Sequence, residues 1–339
     1  MRAMPSDAPR QRFTLRRLPS RSTTFADDVH QGLGATPKSL PPRWFYDALG
    51  SALFSAITNL PEYYVTRTEE SILGAHGDEI VAAFGGPLSL VELGSGDSRK
   101  TRLLIDALLR RQGALEYVPI DIDASVLEST ARHLLADFPA LMVNAICSEF
   151  SDVAAALRTL PRTPGVRTAV LFLGSTIGNL DESEAIAMLS SLRGALAPDD
   201  VLFLGADMQK PRNVVEPAYD DALGVTAAFN LNVLGRINRE LRGHFRLDRF
   251  AHLAFYDEEK ARIEMHLVSR EEQRVRIDAL EVEVAFTEGE TIHTESSHKY
   301  TAAQIERIAR ATGFTVANTW TDERQWFTDA LLVVQKTAE

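Results

Sequence analysis

The sequence predicts an α/β protein, a doubly wound parallel sheet joined to a second α+β domain. Three observations carry this. Apolar runs of strand length alternate with helical patterns from residue 88 to 205, and the first run ends in Gly94-Ser-Gly96. The rhythm then turns to β alternation between residues 247 and 294. Strands separated by helices pair in parallel, because each crossover needs about a helix of chain. A glycine turn that leaves the first strand and opens a helix is the Rossmann-like arrangement.

The elements follow in order. Residues 1–22 carry six arginines against one acid, Asp7, with no apolar centre, and read as a basic disordered tail rather than a secretory signal. Thr36-Pro-Lys-Ser-Leu-Pro-Pro42 is extended, and a short helix is expected near Ser51–Leu60. Pro61 stops it; another helix is expected from Arg67 to Phe84, capped by Thr66 or Thr68. Strands are expected at Leu88–Leu93, Glu116–Ile120, Leu141–Cys147, Thr168–Leu173 and Val201–Gly205. Helices fill the gaps at Ser98–Arg111, Ser125–Phe138, after Ser151, and at Glu182–Leu196. Residues 216–245 are helical in pattern, and Arg262–Leu267 and Leu280–Phe286 alternate as strands. A helix at Ala302–Thr312 and the apolar run Leu331–Val334 return to the first rhythm. The implied division is 23–84 plus 213–298 for substrate, and 85–212 plus 299–339 for the sheet domain.

Composition narrows the function. The 339 residues are 45% hydrophobic and 24% charged, which is ordinary globular composition. No apolar run approaches the ~18–20 residues of a membrane helix. A net charge of −11 opposes binding to phosphate backbones, so no nucleic-acid or membrane partner is expected. The single cysteine, Cys147, excludes an internal disulfide and a cysteine zinc cluster, and suits a reduced, cytoplasmic compartment. The eight histidines show no close ligand spacing, so no metal is expected. In Gly174-Ser-Thr-Ile-Gly178 the centre of a nucleophile elbow would be Thr176, which disfavours a hydrolase.

The glycine turn identifies a cofactor class. A dinucleotide fingerprint needs a third glycine at position 99, which is Arg99. Instead an acid, Glu92, precedes Gly94, and Asp121 ends the next strand, within Pro119-Ile-Asp-Ile-Asp123. Strand-end carboxylates hold a ribose diol where no diphosphate needs cradling. Glu149-Phe150 puts an acid and an aromatic after the third strand, where an adenine would lie. The combination is that of an S-adenosylmethionine site.

Longer motifs resemble one family. Lys38-Ser-Leu-Pro-Pro-Arg-Trp-Phe-Tyr-Asp47, Leu60-Pro-Glu-Tyr-Tyr64, Thr66-Arg-Thr-Glu69 and Phe172-Leu-Gly-Ser-Thr-Ile-Gly-Asn179 are similar to the ergothioneine-pathway histidine Nα-methyltransferases. So are Tyr219-Asp-Asp221, Val225-Thr-Ala-Ala-Phe-Asn230 and Asn238-Arg-Glu-Leu241. The resemblance runs from about residue 29 to the C-terminus. It implies S-adenosylmethionine-dependent trimethylation of the α-amino group of L-histidine to hercynine, with S-adenosylhomocysteine as by-product; a monomer is expected. It assigns the cofactor to Gly94, Lys100, Asp121, Glu149 and Phe150; the family usually has Asp where Glu149 stands. It assigns the substrate to Tyr63, Asn179, Tyr219, Met265, Glu295, Ser296 and Ser297, with Phe54 and Thr226 lining the pocket. Tyr46, Asn179 and Tyr219 form the implied catalytic set. Asn179 and Tyr219 would hold the amino-acid backbone, and Glu295 and Ser297 the imidazole.

The residue types suit that chemistry. Amine methylation is an in-line displacement that needs alignment and a neutral nitrogen more than a strong base. Its third turn leaves a quaternary ammonium, which aromatic faces tolerate at about 1 kcal/mol each. A buried Glu295 would accept an imidazole N–H and reject Phe or Leu, which leave it unpaired. Two rivals share parts of this pattern. One is a tryptophan-type Nα-methyltransferase, and the other a non-catalytic module that binds S-adenosylmethionine or a betaine.

Overall fold

The computed structural model describes residues 12–19, 23–149 and 152–335. In chain order the strands are β1 (Phe13–Arg17), β2 (Lys38–Ser39), β3 (Leu88–Leu93), β4 (Leu115–Asp121), β5 (Leu141–Cys147), β6 (Arg167–Phe172) and β7 (Val201–Asp207). They continue as β8 (Phe250–Asp257), β9 (Arg262–Ser269), β10 (Gln273–Ile277), β11 (Val282–Phe286), β12 (Thr291–His298), β13 (Phe314–Thr321) and β14 (Phe327–Val334). The helices are α1 (Phe25–Gly34), α2 (Ala48–Ile57), α3 (Tyr64–Ala83), α4 (Thr101–Gln112) and α5 (Ala124–Asp137). After them come α6 (Val153–Arg158), α7 (Glu182–Arg193), α8 (Arg212–Val215), α9 (Val225–Leu241) and α10 (Ala302–Ala311).

The large sheet has the order β1-β5-β4-β3-β6-β7-β14-β13. It is parallel from β1 to β7, and β14 and β13 add an antiparallel edge. Alternate residues of its strands bury on opposite faces. Leu88, Leu90 and Leu171 pack with α3, α4 and α5; Val91, Leu93 and Phe172 pack with α6, α7 and α10. Both faces being covered explains the near-continuous apolar runs. The strand order reverses between β3 and β6, and ligands of such sheets bind beyond the carboxyl ends at that point.

A four-stranded sheet, β2-β12-β9-β8, and the β10–β11 hairpin make the smaller layer. Lys38 and Ser39, from the N-terminal segment, pair with Ile292 and His293 of the insertion. Helix α9 and the aromatic residues Phe45 and Phe229 join its core to that of the large sheet.

Three local expectations are corrected. Residues 13–17, expected in a disordered tail, form the edge strand β1 beside β5, because Phe13 and Leu15 alternate onto the core. Helix α3 begins at Tyr64, without a side-chain cap. Thr68 instead bonds back to the Tyr64 carbonyl at 2.9 Å. The β13 strand was not foreseen, because an edge strand buried on one side carries polar residues such as Thr315, Asn318 and Thr319.

Candidate active site

The loops beyond β3, β4 and β6 meet at the switch point. Gly94 and Gly96 have φ of +66° and +49°, a region that L side chains rarely adopt. Asp121 fixes the turn: one carboxylate oxygen accepts the Gly96 N–H at 2.9 Å, and the other that of Asp123 at 3.0 Å. Burial raises its pKa above the ordinary carboxylate value. A cavity of about 420 Å³, lined by Arg43, Tyr46, Asp47, Ile122 and Asp123 among others, opens beyond β4. A glycine turn without Cβ crowding at Gly96, a strand-end acid and this cavity fit an adenosyl group.

Lys100 and Glu149 reach the same region differently. Lys100 pairs with the fully buried Glu69. The Glu69 carboxylate also accepts the Gly174 N–H at 2.9 Å, tying α3 to the loop after β6. Glu149 meets Arg43 at 3.1 Å, and Arg43 also holds Asp28 of α1 at 2.6 Å. Phe150 lies outside the described residues. Glu92, read from the sequence as facing a ribose, is instead buried and accepts from Thr101 and Tyr117. It braces β3 against α4 and β4.

The second half of the site is an arc of rings. Tyr46 meets Phe54 at 5.7 Å, Phe54 meets Tyr63 at 6.2 Å, and Tyr63 meets Tyr219 at 6.2 Å, each edge to face. Phe229 closes the arc behind Tyr46 and Phe54, at 5.8 and 6.0 Å. Arg67 donates to the carbonyls of Pro61 and Tyr63, at 2.7 and 3.0 Å, so it shapes the turn that presents Tyr63. Burial raises the pKa of Tyr46, Tyr63 and Tyr219 well above the ordinary phenol value. All three stay protonated at neutral pH, as donors and relays rather than bases.

The polar wall comes from β12. A bulge between His293 and Glu295, where the Thr294 hydroxyl donates to the Met265 carbonyl at 3.0 Å, shifts the strand's phase. Glu295 then stands opposite the buried Met265. The residue keeps some exposed surface, but its carboxyl is desolvated and its pKa rises to about 7, partly offset by Lys299. Ser297 lies 2.8 Å from the Tyr219 hydroxyl. Ser296 alternates to the other face, where its hydroxyl meets His293 at 3.0 Å; its side chain does not join the pair. Thr226 is buried at the start of α9, its N–H bonded to Asp221 at 2.7 Å. Asn179 ends the short 3-10 turn Thr176–Asn179 after β6, and Gly178 packs so close to the His298 backbone that a Cβ would lie 2.9 Å from its carbonyl. That approach brings Asn179 to the β12 wall.

On the opposite face of the same sheet, Glu264, His266 and His293 place one ligand atom each within 4.8 Å of one another. Arg262 already donates to the Glu264 carboxylate, at 2.9 Å through Nε, and this grouping is a salt-bridge cluster turned away from the pocket.

A family model described as "Histidine-specific methyltransferase, SAM-dependent" matches residues 25–334. The chain belongs to this family. The histidine N-alpha-methyltransferases of Mycolicibacterium smegmatis and Mycobacterium tuberculosis are 47% and 46% identical to it over 296 residues, covering 87% of this chain and 90% of each relative. Ergothioneine biosynthesis protein 1 of Neurospora crassa is 29% identical over 299 residues, covering 84% of this chain but 32% of that larger protein.

Four residues of this histidine-specific methyltransferase fold stand in the site and escaped the sequence analysis. Phe229 and Glu69 sit inside motifs quoted for the resemblance, yet nothing in their spacing marks them. Lys299 is fully buried against Tyr219. His252 accepts from Asn230 at 2.9 Å through Nδ1 and so donates from Nε2 to the Tyr219 carbonyl at 2.8 Å. Burial lowers the pKa of His252 and keeps it neutral for that task.

Proposed function

We propose that this chain transfers three methyl groups in turn from S-adenosylmethionine to the α-amino nitrogen of L-histidine, giving hercynine for ergothioneine biosynthesis. The observation that carries the reading is the Glu295 carboxyl, turned by a bulge to a desolvated place opposite Met265, in a pocket walled by Tyr46, Phe54, Tyr63 and Tyr219. Two relatives 46–47% identical to the chain, by name histidine N-alpha-methyltransferases, support the same substrate.

In this reading residues 85–212 and 299–339 hold the cofactor, and residues 23–84 with 213–298 read the amino acid. Asp121 and Glu149 would hold the ribose and adenine side, Gly94 would let the ligand approach the backbone, and Lys100 would complete the cofactor set. Bound S-adenosylmethionine supplies an electrophilic methyl on its sulfonium. Asn179 and Tyr219 orient the amino acid's backbone end, and Glu295 accepts an imidazole N–H while Ser297 contacts the ring's other side. Glu295 must be ionised to accept well, so histidine capture is favoured above about pH 7.

The nucleophile needs its lone pair, so the ammonium must lose a proton before each transfer. Tyr46 and Tyr219, held protonated, pass a proton along only by accepting one as they release another. The aromatic arc then accommodates a growing, weakly hydrated cation with no N–H left to donate. The lone cysteine supports a reduced, cytoplasmic setting. Incubation with S-adenosylmethionine and L-histidine, read by mass spectrometry, tests the proposal. The expected product is histidine plus three methyl groups, and an absence of methylated histidine refutes it.

A further inference from the structure

Lys299 follows the substrate-reading strand and is among the largest fully buried side chains of the described residues. Its ammonium donates to the Tyr219 hydroxyl at 2.8 Å and to Ser297 at 2.9 Å, and pairs with the Asp207 carboxylate at 2.8 Å. The same nitrogen lies 4.6 Å from the centre of the Tyr219 ring.

Two consequences follow. The first concerns hydrogen-bond polarity. Both hydroxyl oxygens accept from Lys299, and the hydroxyls lie 2.8 Å apart, so one of them donates to the other. One hydroxyl proton is left over, and the pair faces a ligand as a donor. The second concerns charge. Asp207, fully buried, faces Lys299 and also Lys210, and accepts from Tyr64 at 2.8 Å. Glu295, across the pocket, also feels the Lys299 charge. The ammonium directly behind the Tyr219 hydroxyl polarises it as a donor, which favours the oxygens of an incoming carboxylate there.

We propose that Lys299 is a positioning residue for the substrate's α-carboxylate, acting through the Tyr219 hydroxyl, and that it makes the enzyme select a free amino acid over the matching decarboxylated amine. This rests on the amino-acid reading above. Lys299 is fully buried behind Tyr219, Ser297 and Asp207, so it acts through them rather than by touching the substrate. A purely structural lysine would only neutralise Asp207, a task that Lys210 already performs.

The test compares L-histidine with histamine, which keeps the imidazole and amine and lacks the carboxylate. Affinities are measured by calorimetry on the full chain saturated with S-adenosylhomocysteine. Wild type should bind histidine at least about tenfold more tightly than histamine. In Lys299→Met the histidine affinity should fall between about tenfold and a hundredfold, histamine affinity by less than about threefold through Ser297, and S-adenosylhomocysteine affinity hardly at all. Lys299→Gln, which keeps a donor without the charge, should fall between the two and serves if the Met variant does not fold. Equal weakening of histidine and histamine, or unchanged histidine affinity in a folded variant, overturns the proposal. So does a wild type that binds histamine as tightly as histidine, whatever the variants do. A wild type that binds S-adenosylhomocysteine but neither methylates nor binds histidine refutes the underlying function instead.

Discussion

Replacing Glu295 with glutamine should weaken function and strengthen the fold. The carboxyl ordinarily titrates near 4.5 and is raised to about 7 in the folded chain, chiefly by desolvation. Each unit corresponds to about 1.4 kcal/mol, so holding the ionised form costs on the order of 3 kcal/mol at most. The sign follows from the raised value. Below about pH 4.5 the group is neutral in folded and unfolded chains and costs nothing. The penalty grows between about 4.5 and 7 and is complete above that. Glu295→Gln should therefore raise the melting temperature by about 3–5 °C at pH 8.5 and hardly at pH 4.5. Histidine affinity should move the other way. Exchanging a charged acceptor for a neutral one costs about 1–1.5 kcal/mol, or roughly tenfold, and Glu295→Ala should cost more. Scanning calorimetry at both pH values and titration with histidine check the two arms; S-adenosylhomocysteine affinity is the control. Equal losses for histidine and cofactor, or a lower melting temperature at pH 8.5, would refute the reasoning.

Other expectations are more local. A Cβ on Gly205 would lie 2.1 Å from Glu69 Oε1 and 3.1 Å from Asp329. Gly205→Ala should therefore displace Glu69, cost about 1–3 kcal/mol in denaturant melts, and weaken cofactor more than histidine binding through Lys100 and Gly174. Trp44 donates its indole N–H to the buried Asp28 at 2.6 Å. Trp44→Phe should lower stability by about 1.5–3 kcal/mol, read by chemical denaturation. Glu149→Gln should weaken S-adenosylhomocysteine at least about threefold in calorimetry and leave the histidine affinity measured at cofactor saturation within about twofold.

The two parts of the site were unevenly legible. The glycine turn, Asp121 and the strand–helix rhythm could be read directly, because backbone conformations that need glycine and strands buried on both faces leave local signatures. The aromatic lining and β12 wall were reached only through resemblance. Glu295 is the clearest case: straight alternation from Ile292 would turn it outward, and the bulge at Thr294 that reverses it has no glycine to mark it. Ser296 shows the converse, since its place beside Glu295 and Ser297 in sequence puts its side chain on the far face. Lys299 reaches Asp207 and Tyr219 only through the approach of β12 to β7, so its place behind the Tyr219 hydroxyl exists only in three dimensions. The strand β1 was hidden by its arginines, because an edge strand needs only Phe13 and Leu15 to hold it.

The central claim is that one pocket both reads imidazole and carries an amine through three methylations. The direct test is mass spectrometry of the purified chain incubated with S-adenosylmethionine and an equimolar mixture of the twenty amino acids. Histidine gaining three methyl groups, with the other nineteen unchanged, is the predicted result. Methylation of a different amino acid, or none while the cofactor binds, would contradict it.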